Sequence, residues 1–137
     1  MENKEKVRYF YEQITSNHCI SEVCDYVSNA CTIRLGEKSI PVGVDGMKQH
    51  MMEVRKTYPD LKMIIINQYC DGDYVISEFI MEGTHKGEWL GMKPSGKLIK
   101  ISGVNIDKMA DGKIIEHGGA ANTFDALFEA GIIQPTP

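Results

Sequence analysis

Two histidines and one glutamate carry the best prospects for acid/base chemistry. His117 ends the alternating run from Lys113 to Glu116, and an imidazole that titrates near neutral pH can take or give a proton. On a strand it projects either into the interior, as such a group, or onto the outer face, as a surface hydrogen-bonder or subunit contact. The Gly118-Gly119-Ala120-Ala121 run beside it leaves space for a ligand or for a neighbouring backbone. Glu82 and His85, in MEGTHKGEW, form an acid/base pair only if Gly83 makes a bulge, because strand side chains alternate. Without a bulge, His85 lines a pocket mouth and Glu82 partners a cation on the sheet surface.

Other side chains suit binding. Tyr11 on the first helix is expected as a pocket phenol and Phe10 beside it as a core residue, both partly buried on the stripe. Trp89, the only tryptophan, and Met92 follow the Glu82 segment, where an aromatic lids an apolar cavity or packs in the core. The eight methionines are expected as adaptable core filler. His18 and His50 are expected to be solvated. No His, Cys and carboxylate cluster has metal-ligand spacing, so no metal is expected. No nucleophile elbow, phosphate loop or dinucleotide fingerprint is present.

The elements that must position these residues follow from periodicity. Val7, Phe10, Tyr11 and Ile14 form one helical stripe over residues 2–16. A short helix with Ser21 as N-cap runs to Asn29, and Cys31, Ile33 and Leu35 then alternate as a strand. After a polar turn, Asp45 caps a third helix carrying Met47, His50, Met51 and Val54, which Tyr58-Pro59 ends. From Leu61 to Asn122 the chain reads as four strands, divided by Asp71-Gly72-Asp73, Pro94-Ser95-Gly96 and Asp111-Gly112. Such short turns make the strands antiparallel. Thr123 caps a last short helix ending at Gly131.

Helices first and an antiparallel sheet after is an α+β pattern, and a strongly twisted sheet closes into a cone with a pocket inside. At 137 residues with 42% hydrophobic content, one domain over 1–137 is expected. The formal charge of -4, with 15 basic and 19 acidic residues in no long run, points away from nucleic acid and membrane partners. The N-terminal residues lack a secretory pattern. Four cysteines without CxxC spacing are expected as thiols in a cytoplasmic protein.

Four stretches, VRYFYEQI, TYPDL, GTHKGEWLGMKPSGK and DGKIIEH, run in that order across nearly the whole chain. They resemble the SnoaL-like polyketide cyclases, or ester cyclases, of the superfamily named after nuclear transport factor two. The resemblance implies a cone with a strongly curved antiparallel sheet and N-terminal helices packed on its concave side. It also implies a homodimer, and acid/base work on a small apolar carbonyl compound without metal or organic cofactor. In such cyclases a pocket aspartate follows the Glu-His pair by a few residues; its place here is Gly119. Ketosteroid isomerase, in the same superfamily, has a protonated aspartate where this chain has Asn105, which donates a hydrogen bond but transfers no proton. That isomerase's base falls near Arg34, which argues against the isomerase route.

The combined expectation is a cyclase-type enzyme. His117 and His85 transfer protons, Asn105 and Tyr11 donate hydrogen bonds to a carbonyl or enolate, and Trp89, Glu82 and Met92 bind substrate. The alternative, prompted by Gly119, is a domain of the same fold that only binds a small hydrophobic ligand.

Overall fold

The computed structural model describes residues 1–134 and 136. The stripe of Val7, Phe10, Tyr11 and Ile14 is buried along one helical segment, α1 (Asn3–Tyr9), continued by a π-helical turn (Phe10–Thr15). The wider turn keeps Phe10, Tyr11 and Ile14 all on the buried side. A 3-10 turn (Ile20–Glu22) leads into α2 (Val23–Tyr26), shorter than the sequence suggests, and strand β1 (Val27–Leu35) begins earlier than Cys31. The expected polar turn contains a second strand, β2 (Lys38–Pro41), antiparallel to β1. Helix α3 (Gly43–Thr57) starts two residues before the expected cap Asp45 and buries Val44, Met47 and Met51.

Strands β3 (Lys62–Asp71), β4 (Tyr74–Thr84), β5 (Leu98–Ala110) and β6 (Lys113–Ala121) follow. The last helix, α4 (Thr123–Glu129), is capped by Asn122 in place of the expected Thr123: Asn122 Oδ1 accepts from the Asp125 backbone N–H. The six strands lie in the order β2-β1-β6-β5-β4-β3. All neighbours are antiparallel except β1 and β6, which pair parallel. The long hairpins were readable from their turns; the parallel pairing joins strands far apart in sequence and had no local signal.

Along β5 the odd residues face inward: Ile99, Ile101, Asp107 and Met109 are buried, while Leu98, Lys100, Ser102 and Val104 are exposed. Two buried clusters result. The larger joins α1, its π-helical turn and α3 to the inner face of the sheet through Val7, Phe10, Ile14, Met47, Phe79 and Ile114 among others. Each fully buried side chain of this kind contributes roughly 1.5–3 kcal/mol. The smaller gathers Tyr58, Leu61, Ile99, Ile101 and Ala126.

Two polar clamps fix where the helices meet the sheet. The Asp60 carboxylate accepts from the Thr84 N–H and hydroxyl, each at 2.7 Å, which ties the TYPDL turn to the end of β4. The Arg55 guanidinium donates to the carbonyls of Thr15 (2.7 Å), Ser16 (3.1 Å) and Pro59 (2.9 Å), which locks α3 to the end of the π-helical turn.

Candidate active site

The site begins with a register change between β5 and β6. Ala110 pairs with Lys113 and Met109 with Ile114, but Lys108 pairs with Glu116, so Ile115 is an extra residue in β6. Such a bulge shifts every later side chain to the other face. Without it, Asp107 would face Glu116; with it, Asp107 pairs with His117 and Asn105 with Gly119.

Asp107 is fully buried, and the His117 side chain is 16% exposed. Asp107 Oδ1 lies 2.7 Å from His117 Nδ1, and Tyr11 donates its hydroxyl to Asp107 Oδ2 at 2.7 Å. The Tyr11 oxygen is also 3.1 Å from His117 Nδ1. With a carboxylate and a phenol oxygen on that side, Nδ1 carries the proton, and Nε2 is left with a free lone pair. Burial pushes the Tyr11 phenol well above its ordinary range, and the neighbouring Asp107 charge and hydrogen bond push it further; Asn105 acts in the opposite direction. Tyr11 is therefore a neutral donor that holds the carboxylate. Cys31, buried close by, has its thiol raised to about 11 by burial, then by Asp107 and Glu116, so it supplies no thiolate near neutral pH.

His117 and Asn105 open onto a cavity of about 160 Å³ between α3 and the inner sheet face. Its walls are mostly apolar, with Phe10, Phe79 and the four methionines Met47, Met51, Met63 and Met81. His18 and His50 also line it, which corrects the expectation that both are merely solvated. His18 sits in a left-handed backbone conformation (φ 55°) as the first helical segment ends. His50 is exposed by surface area, yet its pKa is lowered, first by burial against the cavity and then by the charge of His117. Among the described residues no three His, Cys, Asp or Glu side chains are placed to share a metal ion.

A family model described as SnoaL-like polyketide cyclase matches residues 5–127. The chain belongs to that family. Similar solved structures include the candidate polyketide cyclase IdmH from Streptomyces antibioticus, with a TM-score of 0.81, 19% identity, and coverage of 96% of this chain and 99% of that one. The candidate hydroxylase AclR from Streptomyces galilaeus has a TM-score of 0.82 at 21% identity over 98% of this chain and 88% of its own. A SnoaL-like polyketide cyclase from Agrobacterium tumefaciens has a TM-score of 0.81 at 14% identity, over 97% and 100%. At these identities the likeness is one of fold. No curated protein matches the sequence significantly.

The resemblance places a pocket carboxylate at Gly119, and the structure packs that glycine directly against β5. A Cβ at Gly119 would meet the Val104 carbonyl oxygen and stand 2.8 Å from Asn105 Oδ1, so no aspartate fits there without a backbone shift. Asn105 fills that space, and the buried carboxylate comes from Asp107, one inward position further along β5.

Of the other expected residues, the structure brings only Tyr11 to this cavity. His85 is fully buried just beyond β4, in an aromatic group with Tyr58 and Trp89, with ring centroids 6.3 and 5.9 Å away. Its Nδ1 lies 3.0 Å from Ser95 Oγ, and it anchors the β4–β5 loop. Gly83 makes no bulge; its missing Cβ lets Tyr58 pack directly on β4. Glu82 faces outward, 3.8 Å from Lys100 Nζ. Met92 pairs with Trp89 in a short bridge, and Trp89 lines a separate cavity. Tyr11 lines the main cavity, but its hydroxyl is committed to Asp107. Sequence reasoning missed Asp107 altogether.

Proposed function

We propose that this chain is an acid/base enzyme of the cyclase type that moves a proton at the carbon beside a carbonyl in a small apolar compound. The observation that carries this reading is the 2.7 Å contact between buried Asp107 Oδ1 and His117 Nδ1, on an imidazole that lines an apolar cavity. His117 Nε2 takes the α-proton: the C–H bond breaks, an N–H bond forms, and the electron pair moves to the carbonyl oxygen. Asn105, on the same wall, donates its amide hydrogen to that oxygen. Asp107 balances the imidazolium, and Tyr11 keeps Asp107 in place. The enolate carbon then attacks a second carbonyl of the substrate, whose oxygen takes the proton back from Nε2 as the new C–C bond forms, or the carbon itself regains that proton from Nε2. Every group in these steps belongs to the chain itself.

The test is solvent deuterium exchange at the α-carbon of an aryl ketone, followed by NMR. The native protein should accelerate exchange, and His117→Gln should lose about 10²–10⁴-fold of it. Equal exchange by both proteins refutes the assignment. Ketone binding without exchange would move the protein to the binding-only reading, which the filled space at Gly119 favours.

The outer face of the sheet supports a further part of this reading, a homodimer. Ile64, Ile66 and Val104 are exposed there, and Ile66, Val104 and Ala120 line a shallow groove. Four free cysteines fit a reducing cytoplasmic setting. No helix among the described residues is long and apolar enough to cross a membrane.

A further inference from the structure

The main cavity has a size as well as a chemistry. Its volume of about 160 Å³ is close to that of an engineered apolar cavity of about 150 Å³ that holds benzene. Sites for drug-sized ligands run from about 300 Å³ upward. A single ring fills the space between Phe10, Met47, Met51 and Met63, and a fused three- or four-ring skeleton has to extend beyond it.

A second, more open depression of about 440 Å³ lies beside the first, against Trp89 and Tyr58. Val54, Phe79 and Met81 line both. These three side chains form the wall between them. Phe79 is buried and its ring tip packs over Gly103, where a Cβ would stand 2.5 Å from Cζ. Met81 is only partly buried, and its unbranched side chain is the most readily displaced part of that wall. The four methionine sulfurs favour the faces and edges of an aromatic ring.

We propose that the cavity accepts a carbonyl compound with a single ring, and that Met81, with Phe79 and Val54, sets this limit by closing the cavity off from the depression against Trp89. The proposal deepens the reading of His117 as the proton-transfer group, since it names the class of compound whose α-carbon reaches that imidazole. It predicts that shortening Met81 joins the two spaces and relaxes the size limit.

The experiment titrates acetophenone (one ring) and anthrone (three fused rings) into the native protein and into Met81→Ala and Met81→Val, with NMR of the methionine methyl groups and the His117 ring as the readout. Native protein is expected to bind acetophenone at least tenfold more tightly than anthrone, with shifts at both His117 and the cavity methionines. Met81→Ala is expected to gain at least tenfold in anthrone affinity; Met81→Val, the milder change, serves if the alanine variant does not fold. Anthrone binding the native protein as tightly as acetophenone overturns the proposal. So does a failure of both ketones to bind at millimolar concentration, or an unchanged preference in the folded Met81 variant. These readouts need no turnover, so a failure of deuterium exchange would refute the catalytic reading and leave the size limit standing.

Discussion

Asp107 and His117 face each other across β5 and β6, Oδ1 to Nδ1 at 2.7 Å, only because Ile115 bulges out of the ladder between the turn and His117. That extra residue exchanges Glu116 for His117 at the inner position. It also gives a buried carboxylate a partner, without which its desolvation would cost several kcal/mol. Structure and proposed chemistry thus rest on the same pair, and changes to either residue should be read in both stability and proton transfer.

Asp107→Asn preserves shape but lets His117 adopt the other tautomer. Deuterium exchange should fall by about 10²–10⁴-fold, while ketone binding measured by NMR changes little. Full exchange activity in this variant would remove Asp107 from the mechanism.

Tyr11→Phe leaves Asp107 Oδ2 without its donor. The expected cost is about 1–3 kcal/mol in denaturant unfolding, with a smaller loss of exchange than in the His117 variants. A stability equal to that of the native protein would mean that the phenol does not hold the carboxylate.

The overall architecture was legible because it rests on short-range patterns. The stripe of Val7, Phe10, Tyr11 and Ile14, the alternation of β5, and the turns at Asp71-Gly72 and Asp111-Gly112 each need only a few neighbouring residues. The site was less legible. A period of two cannot reveal one inserted residue, so the face of His117 stayed open and Asp107 went unnoticed between Ile106 and Lys108. The pairing of β1 with β6 was hidden because the two strands lie far apart in the sequence and no turn joins them. His50 did carry a signal, since it lies three residues after Met47 and four before Val54, at the edge of the stripe that lines the cavity. His85 misled because its place just past β4 reads as a pocket mouth, whereas Tyr58 and Trp89 enclose it.

Gly119→Asp places a carboxylate where the resemblance expects one. Because its Cβ would meet the Val104 carbonyl oxygen and crowd Asn105, the variant should lose about 1–3 kcal/mol, measured by chemical denaturation. A native-like stability would show that β6 yields easily at this point.

His50 gives a pH dependence of defined sign. Its pKa is lowered in the folded state, so the unfolded chain binds more protons as the pH falls below about 6.5. Its contribution is a penalty that is absent above that pH, grows as the pH falls toward the lowered folded value, and is constant below it. Thermal midpoints followed from about pH 7.5 to 5 should therefore decline less in His50→Gln than in the native protein. His50 remains exposed by surface area, so the slope is the quantity to compare. Parallel slopes would contradict the assignment.

Self-association through the outer sheet is tested by sedimentation at micromolar concentration. The native chain should run as a dimer, and Ile66→Lys or Val104→Lys as a monomer, since a charge on a paired apolar face is costly to desolvate. A monomeric native chain would contradict this part of the proposal.

The most direct test of the account is the tautomeric state of His117, read from long-range nitrogen–proton correlations in the native protein and in Asp107→Asn. The geometry predicts a proton on Nδ1 and a bare Nε2 whose signal shifts when acetophenone is added, with that tautomer lost in Asp107→Asn. A native His117 protonated on Nε2, or an Nε2 signal indifferent to the ketone, would contradict its role as the base that faces the substrate.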